Sequence, residues 1–283
     1  MTTWREQLNI YREKRAFQPT QWIENKCKAF NTYLGEHGLS GAVISVSGGI
    51  DSAVTLALLK NILTMPNSNL KQIVALNQPI HSSNWAFERS KELCDEFGIR
   101  LDVIDQTDIH ELLTSKFALD GNEFSRGQLR SYLRTPANYY AAQLLSQSGF
   151  PALVVGTGNR DEDGYLAYFC KYGDGAVDIQ LISDLHKSEV FTIGRELGVP
   201  NSILEAPPSA DLWEGHTDEE EMGVSYDFVE FLTGYYFALT KVEKIHFKFS
   251  LTPESQTEFE TLKKRCKDIH LRNAHKLKGV INL

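Results

Sequence analysis

A short β-branched run that ends in a glycine turn and gives way to a helix constrains this chain most. Gly41-Ala42-Val43-Ile44-Ser45-Val46-Ser47 has the composition of a strand. Ala53 to Leu63 instead carries apolar residues at helical intervals among good helix formers. Gly48 and Gly49 lie between them, so the chain turns tightly from strand to helix. The alternation recurs, with Gln72-Ile73-Val74-Ala75-Leu76 before a helix over 83–97 and Leu101-Asp102-Val103-Ile104 before one over 108–118. A helical stretch over 125–148 leads into Pro151-Ala152-Leu153-Val154-Val155, and an amphipathic helix within 19–37 precedes the first strand. This order predicts an α/β fold, a parallel sheet flanked by helices on both faces. Such sheets bind ligands beyond the carboxyl ends of their strands, where strand order reverses, and the glycine turns at 47–49 and 156–158 are expected there. The segment 199–226, rich in Pro, Asp, Glu and Gly, reads as loops and short helices over the site. Thr252 can cap a last helix that begins at Pro253 and runs to the neighbourhood of His275.

The 283 residues suffice for a sizeable core, and one domain spanning 1–283 is favoured over two small ones. Lys and Arg total 29 against 37 Asp and Glu, and a net charge of -8 argues against a nucleic-acid partner. Cys27, Cys94, Cys170 and Cys266 form no C-x-x-C pair, so neither a zinc site nor a disulfide framework is signalled. The start of the chain is polar and no stretch reaches the roughly 18 apolar residues of a membrane span, so a cytoplasmic protein without a membrane partner is expected.

Ser47-Gly48-Gly49-Ile50-Asp51-Ser52 suits a bound phosphate. The glycines let backbone N–H groups approach an anion, the serines add donors, and the following helix contributes its positive end. Asp51 would repel phosphate unless a cation intervenes, which makes it a candidate Mg²⁺ ligand. The loop has neither the lysine of G-x-x-x-x-G-K-[ST] nor the spacing of G-x-G-x-x-G. On composition alone, a plain strand-to-helix turn is the alternative.

The hexapeptide resembles the pyrophosphate loop of the ATP pyrophosphatases, which split ATP between its α and β phosphates and leave an adenylated substrate. Four further segments resemble those of NAD synthetases: Gly156-Thr157-Gly158-Asn159 followed by Glu162, Lys171-Tyr172-Gly173-Asp174-Gly175-Ala176-Val177-Asp178, Pro208-Ser209-Ala210-Asp211-Leu212, and His275-Lys276. The resemblance, which runs from about 20 to 276, implies a Rossmann-like, adenine nucleotide alpha hydrolase-like fold. It implies an ammonia-dependent ligase that amidates deamido-NAD to NAD through an adenylate and releases AMP and pyrophosphate. ATP is then a co-substrate and Mg²⁺ the cofactor. By the same resemblance Ser45, Val46, the loop Ser47 to Ser52, Thr157, Lys187 and Ser209 meet ATP, and Asp51 and Glu162 hold the metal. Asp51 and Lys187 are catalytic, and Lys171, Asp178, His275 and Lys276 bind the dinucleotide. Homodimers that share their active sites are implied too.

The chain departs from the family pattern in places. Leu76-Asn77-Gln78-Pro79 stands where many members have an arginine for the nucleotide. Ser131-Tyr132-Leu133-Arg134-Thr135 replaces the segment with the substrate-binding arginine, so Tyr132 takes the aligned place while Arg134 or Arg130 offers the charge. One extra residue separates Glu162 from Lys171, and an insertion precedes His275. The residues before the first strand are too few for a nitrilase-like glutaminase domain, so free ammonia or a separate donor protein is expected. The rival readings are another adenylating ligase of the same fold, such as a tRNA-modifying enzyme, and a non-catalytic nucleotide-binding homologue.

Overall fold

The structure is a computed structural model and describes residues 2–208 and 217–282. Its parallel strands are β1 (Gly41–Ser45), β2 (Gln72–Asn77), β3 (Leu101–Val103), β4 (Ala152–Gly156) and β5 (Ile179–Gln180), in the order β3-β2-β1-β4-β5. The chain lays β2 and β3 outward from β1, then crosses back to pair β4 with the other edge of β1. Strand order reverses at the β1–β4 pair, and a crevice opens at their carboxyl ends.

Side-chain alternation along β1 sorts the helices onto two faces. Ala42 and Ile44 pack with α2 (Pro19–Glu36), α3 (Ile50–Leu63) and α7 (Lys187–Glu196), joined by Leu93 and Cys94 of α4 (Asn84–Glu96). Val43 and Val154 face Ala142 and Leu145 of α6 (Glu123–Gln147), against which α5 (Thr107–Thr114) leans. α3 is buried almost all round, as a helix between a sheet and other helices must be.

A second, aromatic cluster joins the two ends of the chain. α1 (Trp4–Arg15) starts at a Thr3–Glu6 capping box and packs Trp4 and Leu8 against α10 (Tyr226–Glu230), α11 (Lys241–Ser250) and α12 (Pro253–Asn273). Trp4 meets Phe228 edge to face with ring centroids 5.1 Å apart, and Phe259 lies fully buried 5.2 Å from Phe247. Each such ring stabilises the fold by about 1.5–3 kcal/mol relative to an exposed one. This cluster holds α12 so that Arg265, Ile269 and Arg272 face the crevice.

α8 (Asn201–Leu204) and α9 (Asp218–Met222) are the short helices expected within 199–226. Most of the Pro208-to-Leu212 motif, Ser209 included, lies outside the described residues. After Asn159 the chain makes a π-helical turn over Arg160–Leu166, with Gly164 off helical geometry and Ala167 left-handed at φ 48°. No helix among the described residues is long and apolar enough to cross a membrane. The four cysteines are buried and free.

Candidate active site

The first turn is built around Gly48. Its φ is +83°, and a Cβ there would lie 2.4 Å from the carbonyl oxygen of Ala86 on α4. Gly49, the N-cap of α3, supplies no side-chain acceptor, so the first-turn N–H groups of α3 remain open to a ligand in the crevice. Ser52 Oγ accepts from Ser47 N at 3.2 Å, and Ser47 Oγ accepts from Gly49 N at 3.2 Å. Gly48→Ala meets both the left-handed backbone and the α4 carbonyl. We expect it to cost about 1–3 kcal/mol of stability and to abolish nucleotide binding, read by thermal melts and by calorimetric titration with ATP.

The second turn follows β4. Asn159 caps the π-helical turn, accepting from Asp161 N and Glu162 N, while its Nδ2 donates to Asp51 Oδ1 at 2.9 Å. The two turns at the switch point are thereby tied together. Lys187 Nζ donates to Asp51 Oδ2 at 2.6 Å and to Glu162 Oε1 at 2.7 Å, with the lysine side chain only 4% exposed. Burial acts to lower the Lys187 pKa, but the two carboxylates outweigh it and hold the ammonium charged. Burial raises Asp51 against the pull of Lys187. Glu162 is buried too, but Lys187 and the Tyr226 hydroxyl, 2.7 Å away, bring it below its ordinary value. One cation thus serves two desolvated carboxylates.

Lys187 is set in place from behind. The fully buried Asp161 accepts from Lys187 N and lies 2.8 Å from His186 Nδ1. Glu189 accepts from His186 N and pairs with Arg15 of α1, and Ser188 Oγ donates to Glu230, which pairs with Arg12. The N-terminal helix therefore clamps the first turn of α7 through one direct ion pair and a second relayed by Glu230 of α10.

A cavity of about 690 Å³ runs from the Ser47 loop across to α12. That size suits a nucleotide-class ligand. Residues Ser45 to Ser52, Arg134, Thr157, Glu162, Lys187 and Lys276 line it, whereas Tyr132, Lys171, Asp178 and His275 do not. Lys276 Nζ donates to the carbonyls of Phe169 and Ala167, and Lys171 Nζ donates to that of Gly279. Asp178 accepts from Val154 N and Tyr139 OH. The turn Lys171–Gly175 docks on α6, where Asp174 Oδ1 accepts from Ser131 Oγ and a Cβ at Gly173 would come within 2.1 Å of that hydroxyl. Thr135 Oγ1, one helical turn on, donates to the Tyr172 carbonyl.

Asn77, at the departure after β2, donates to Val46 O and Ser90 Oγ and so fastens the loop to α4. Gln78 donates to Ser45 Oγ and Asn138 Oδ1 in the cavity wall. The place that the family resemblance gives to a nucleotide-facing arginine thus holds buried amides that tie strand ends together.

The NAD synthase family model matches residues 22–278. The chain belongs to the NAD synthase family. An NH(3)-dependent NAD(+) synthetase of Methanococcoides burtonii is 37% identical over 226 residues, 79% of this chain and 82% of that protein. One from Alkaliphilus oremlandii is 37% identical over 248 residues, 83% and 92% of the two chains. Among solved structures, NMN synthetase from Francisella tularensis superimposes with a TM-score of 0.77 at 29% identity, covering 94% of this chain and 99% of that one. NH3-dependent NAD synthetase from Campylobacter jejuni, at 22% identity and a TM-score of 0.71, shares the fold over 94% and 99%. Within this NAD synthase fold, sequence reasoning missed Asn159, Tyr226 and the Asp161–His186 pair. Only Asn159 carried a signal, as the last residue of the Gly-Thr-Gly-Asn turn.

Proposed function

We propose that this family member amidates the nicotinate carboxylate of deamido-NAD with ammonia, consuming ATP and releasing AMP and pyrophosphate. The observation that carries this reading is the convergence of the Ser47–Ser52 loop, Asp51, Glu162 and Lys187 on one end of the cavity. A nicotinate carboxylate oxygen attacks the α phosphorus, pyrophosphate leaves, and ammonia then displaces AMP from the acyl carbon. Loop N–H groups and Lys187 hold the departing pyrophosphate, so charge is met by fixed donors as it develops. Thr157 and Ser209 complete the ATP contacts in this proposal. Two hard oxygen donors that already converge on a single cationic atom suit Mg²⁺, so Asp51 and Glu162 would hold it against the phosphates. The metal would supply charge neutralisation there. Arg134 and Lys276 take the dinucleotide from within the cavity, and Tyr132, Lys171, Asp178 and His275 from its margin.

Ammonia as nitrogen source follows the relatives' names, and the whole described chain is read as one synthetase unit in the cytoplasm. A homodimer with shared sites is supported by apolar side chains left exposed along α5 and α6, among them Leu112, Phe124 and Tyr140. Equilibrium sedimentation at one protomer's mass would remove that part.

A second reading keeps the chemistry and shortens the substrate. The similarity to an NMN synthetase, and the position of Tyr132, Lys171, Asp178 and His275 outside the cavity lining, favour a mononucleotide carrying the same carboxylate. Incubation with ATP, Mg²⁺, ammonium and either deamido-NAD or nicotinate mononucleotide, with chromatography of the amide and AMP, separates the two. Amide from neither substrate would sink both.

A further inference from the structure

We propose that Tyr11, Arg12 and Arg15 of α1 are positioning residues for the reaction, setting the Lys187 ammonium between Asp51 and Glu162 from a helix that lies before the family-matched residues 22–278. The proposal rests on the reading that Lys187 meets the departing pyrophosphate. Trp4, Leu8, Tyr11, Arg12 and Arg15 follow helical spacing and so occupy one stripe of α1. The first part of the stripe is buried in the aromatic cluster, and the second reaches the start of α7. Basic residues in a last turn commonly do no more than face the helix dipole, and water is partner enough for that. Here the partners are buried. The Glu189 and Glu230 side chains are 7% and 2% exposed, and a desolvated carboxylate needs a well-placed cation. Arg15 grips Glu189 with Nε and with Nη2 at 3.1 Å, and Arg12 grips Glu230 with Nε at 3.0 Å and Nη2 at 2.6 Å. Each acid passes the constraint to a residue beside Lys187: Glu189 accepts from His186 N at 3.0 Å, and Glu230 from Ser188 Oγ at 2.8 Å. The Tyr11 hydroxyl is hemmed in by Gly234, where a Cβ would come within 2.5 Å of it, and it lies 3.4 Å from His186 Nε2. The other nitrogen of that ring meets Asp161, which accepts from Lys187 N at 2.8 Å. Both neighbours of Lys187 and its own backbone are thus referred to α1, while its Nζ reaches Asp51 at the phosphate loop. A shift of about 1 Å in such a group costs up to about 10²-fold in rate.

Arg15→Lys keeps a cation on Glu189 and loses the fork. It is expected to lower kcat for AMP formation at least about 5-fold and to weaken inhibition by pyrophosphate by a similar factor, with KM for the pyridine nucleotide unchanged. Ser188→Ala, which cuts the second relay at a single hydroxyl, should show the same split at about 2-fold or more, and it decides the matter if Arg15→Lys does not fold. Arg5→Met removes a pair with Glu258 at the far end of α1 and should leave all three constants unchanged. Unchanged kcat in a folded Arg15→Lys or Ser188→Ala variant would overturn the positioning role. Equal losses in Arg5→Met, or a KM for the pyridine nucleotide that rises in step with the fall in kcat, would also overturn it, by showing that α1 only holds the fold together. No AMP from the unaltered protein would overturn the functional reading and the proposal with it.

Discussion

Replacing Lys187 with methionine is expected to slow AMP formation by at least about 10²-fold and to destabilise the protein by about 3–5 kcal/mol in the absence of ligands. The two effects have one origin. Lys187 Nζ is the cation shared by Asp51 and Glu162, and all three groups are largely removed from water. Methionine fills a similar volume, so the loss reports charge rather than a cavity. Two carboxylates are then left side by side without their ammonium, and the departing pyrophosphate loses a fixed positive donor. Urea denaturation measures the stability change and initial rates of AMP release measure the chemistry. Lys187→Arg tests the geometry, since a planar fork cannot place one donor between two carboxylates as an ammonium does. Near-normal rates and midpoints in Lys187→Met would refute the assignment.

Asp51→Asn should cost much less stability than Lys187→Met while also losing activity. The amide keeps one oxygen for Lys187 Nζ and sets its NH2 against Asn159 Nδ2, a loss offset in part because it removes one of two like charges that burial already disfavours. The fold is therefore expected to be retained, with a melting temperature lowered far less than in Lys187→Met. AMP release, in contrast, should fall by at least about 10²-fold and cease to respond to added Mg²⁺. Unimpaired turnover across a magnesium titration would remove Asp51 from the metal site.

The sheet was legible because its strands are local signals. β1, β2 and β4 are short apolar runs punctuated by glycine or polar turns, and the helices between them carry their own periodicity. β5 was not legible, since Ile179–Gln180 is too short for a pattern and exists only as an edge added to β4. α1 escaped for a different reason. Its buried face, Trp4 and Leu8, finds its partners in α10 to α12, more than 200 residues away along the chain.

The same distinction divides the site. The Ser47 loop announces itself through two glycines beside a strand, yet only the structure separates them, by giving Gly48 a positive φ and an adjacent carbonyl. Lys187 alone reads as a surface lysine at the start of a helix. The fold instead buries it and brings it to Asp51, 136 residues away. Tyr226 and the Asp161–His186 pair act through contacts made only once α7, α9 and α10 have packed, and no local spacing encodes them. The extra residue after Glu162 was visible as an irregular interval, whereas the π-helical turn over Arg160–Leu166 had no local signal.

Oxygen transfer tests the central claim, carboxylate activation by adenylation, most directly. Deamido-NAD carrying ¹⁸O in both carboxylate oxygens is turned over with ATP, Mg²⁺ and ammonium, and the AMP and amide are weighed by mass spectrometry. Attack by a carboxylate oxygen on the α phosphorus predicts one ¹⁸O in AMP and one retained in the amide carbonyl. Unlabelled AMP, or ADP and phosphate in its place, would contradict the account.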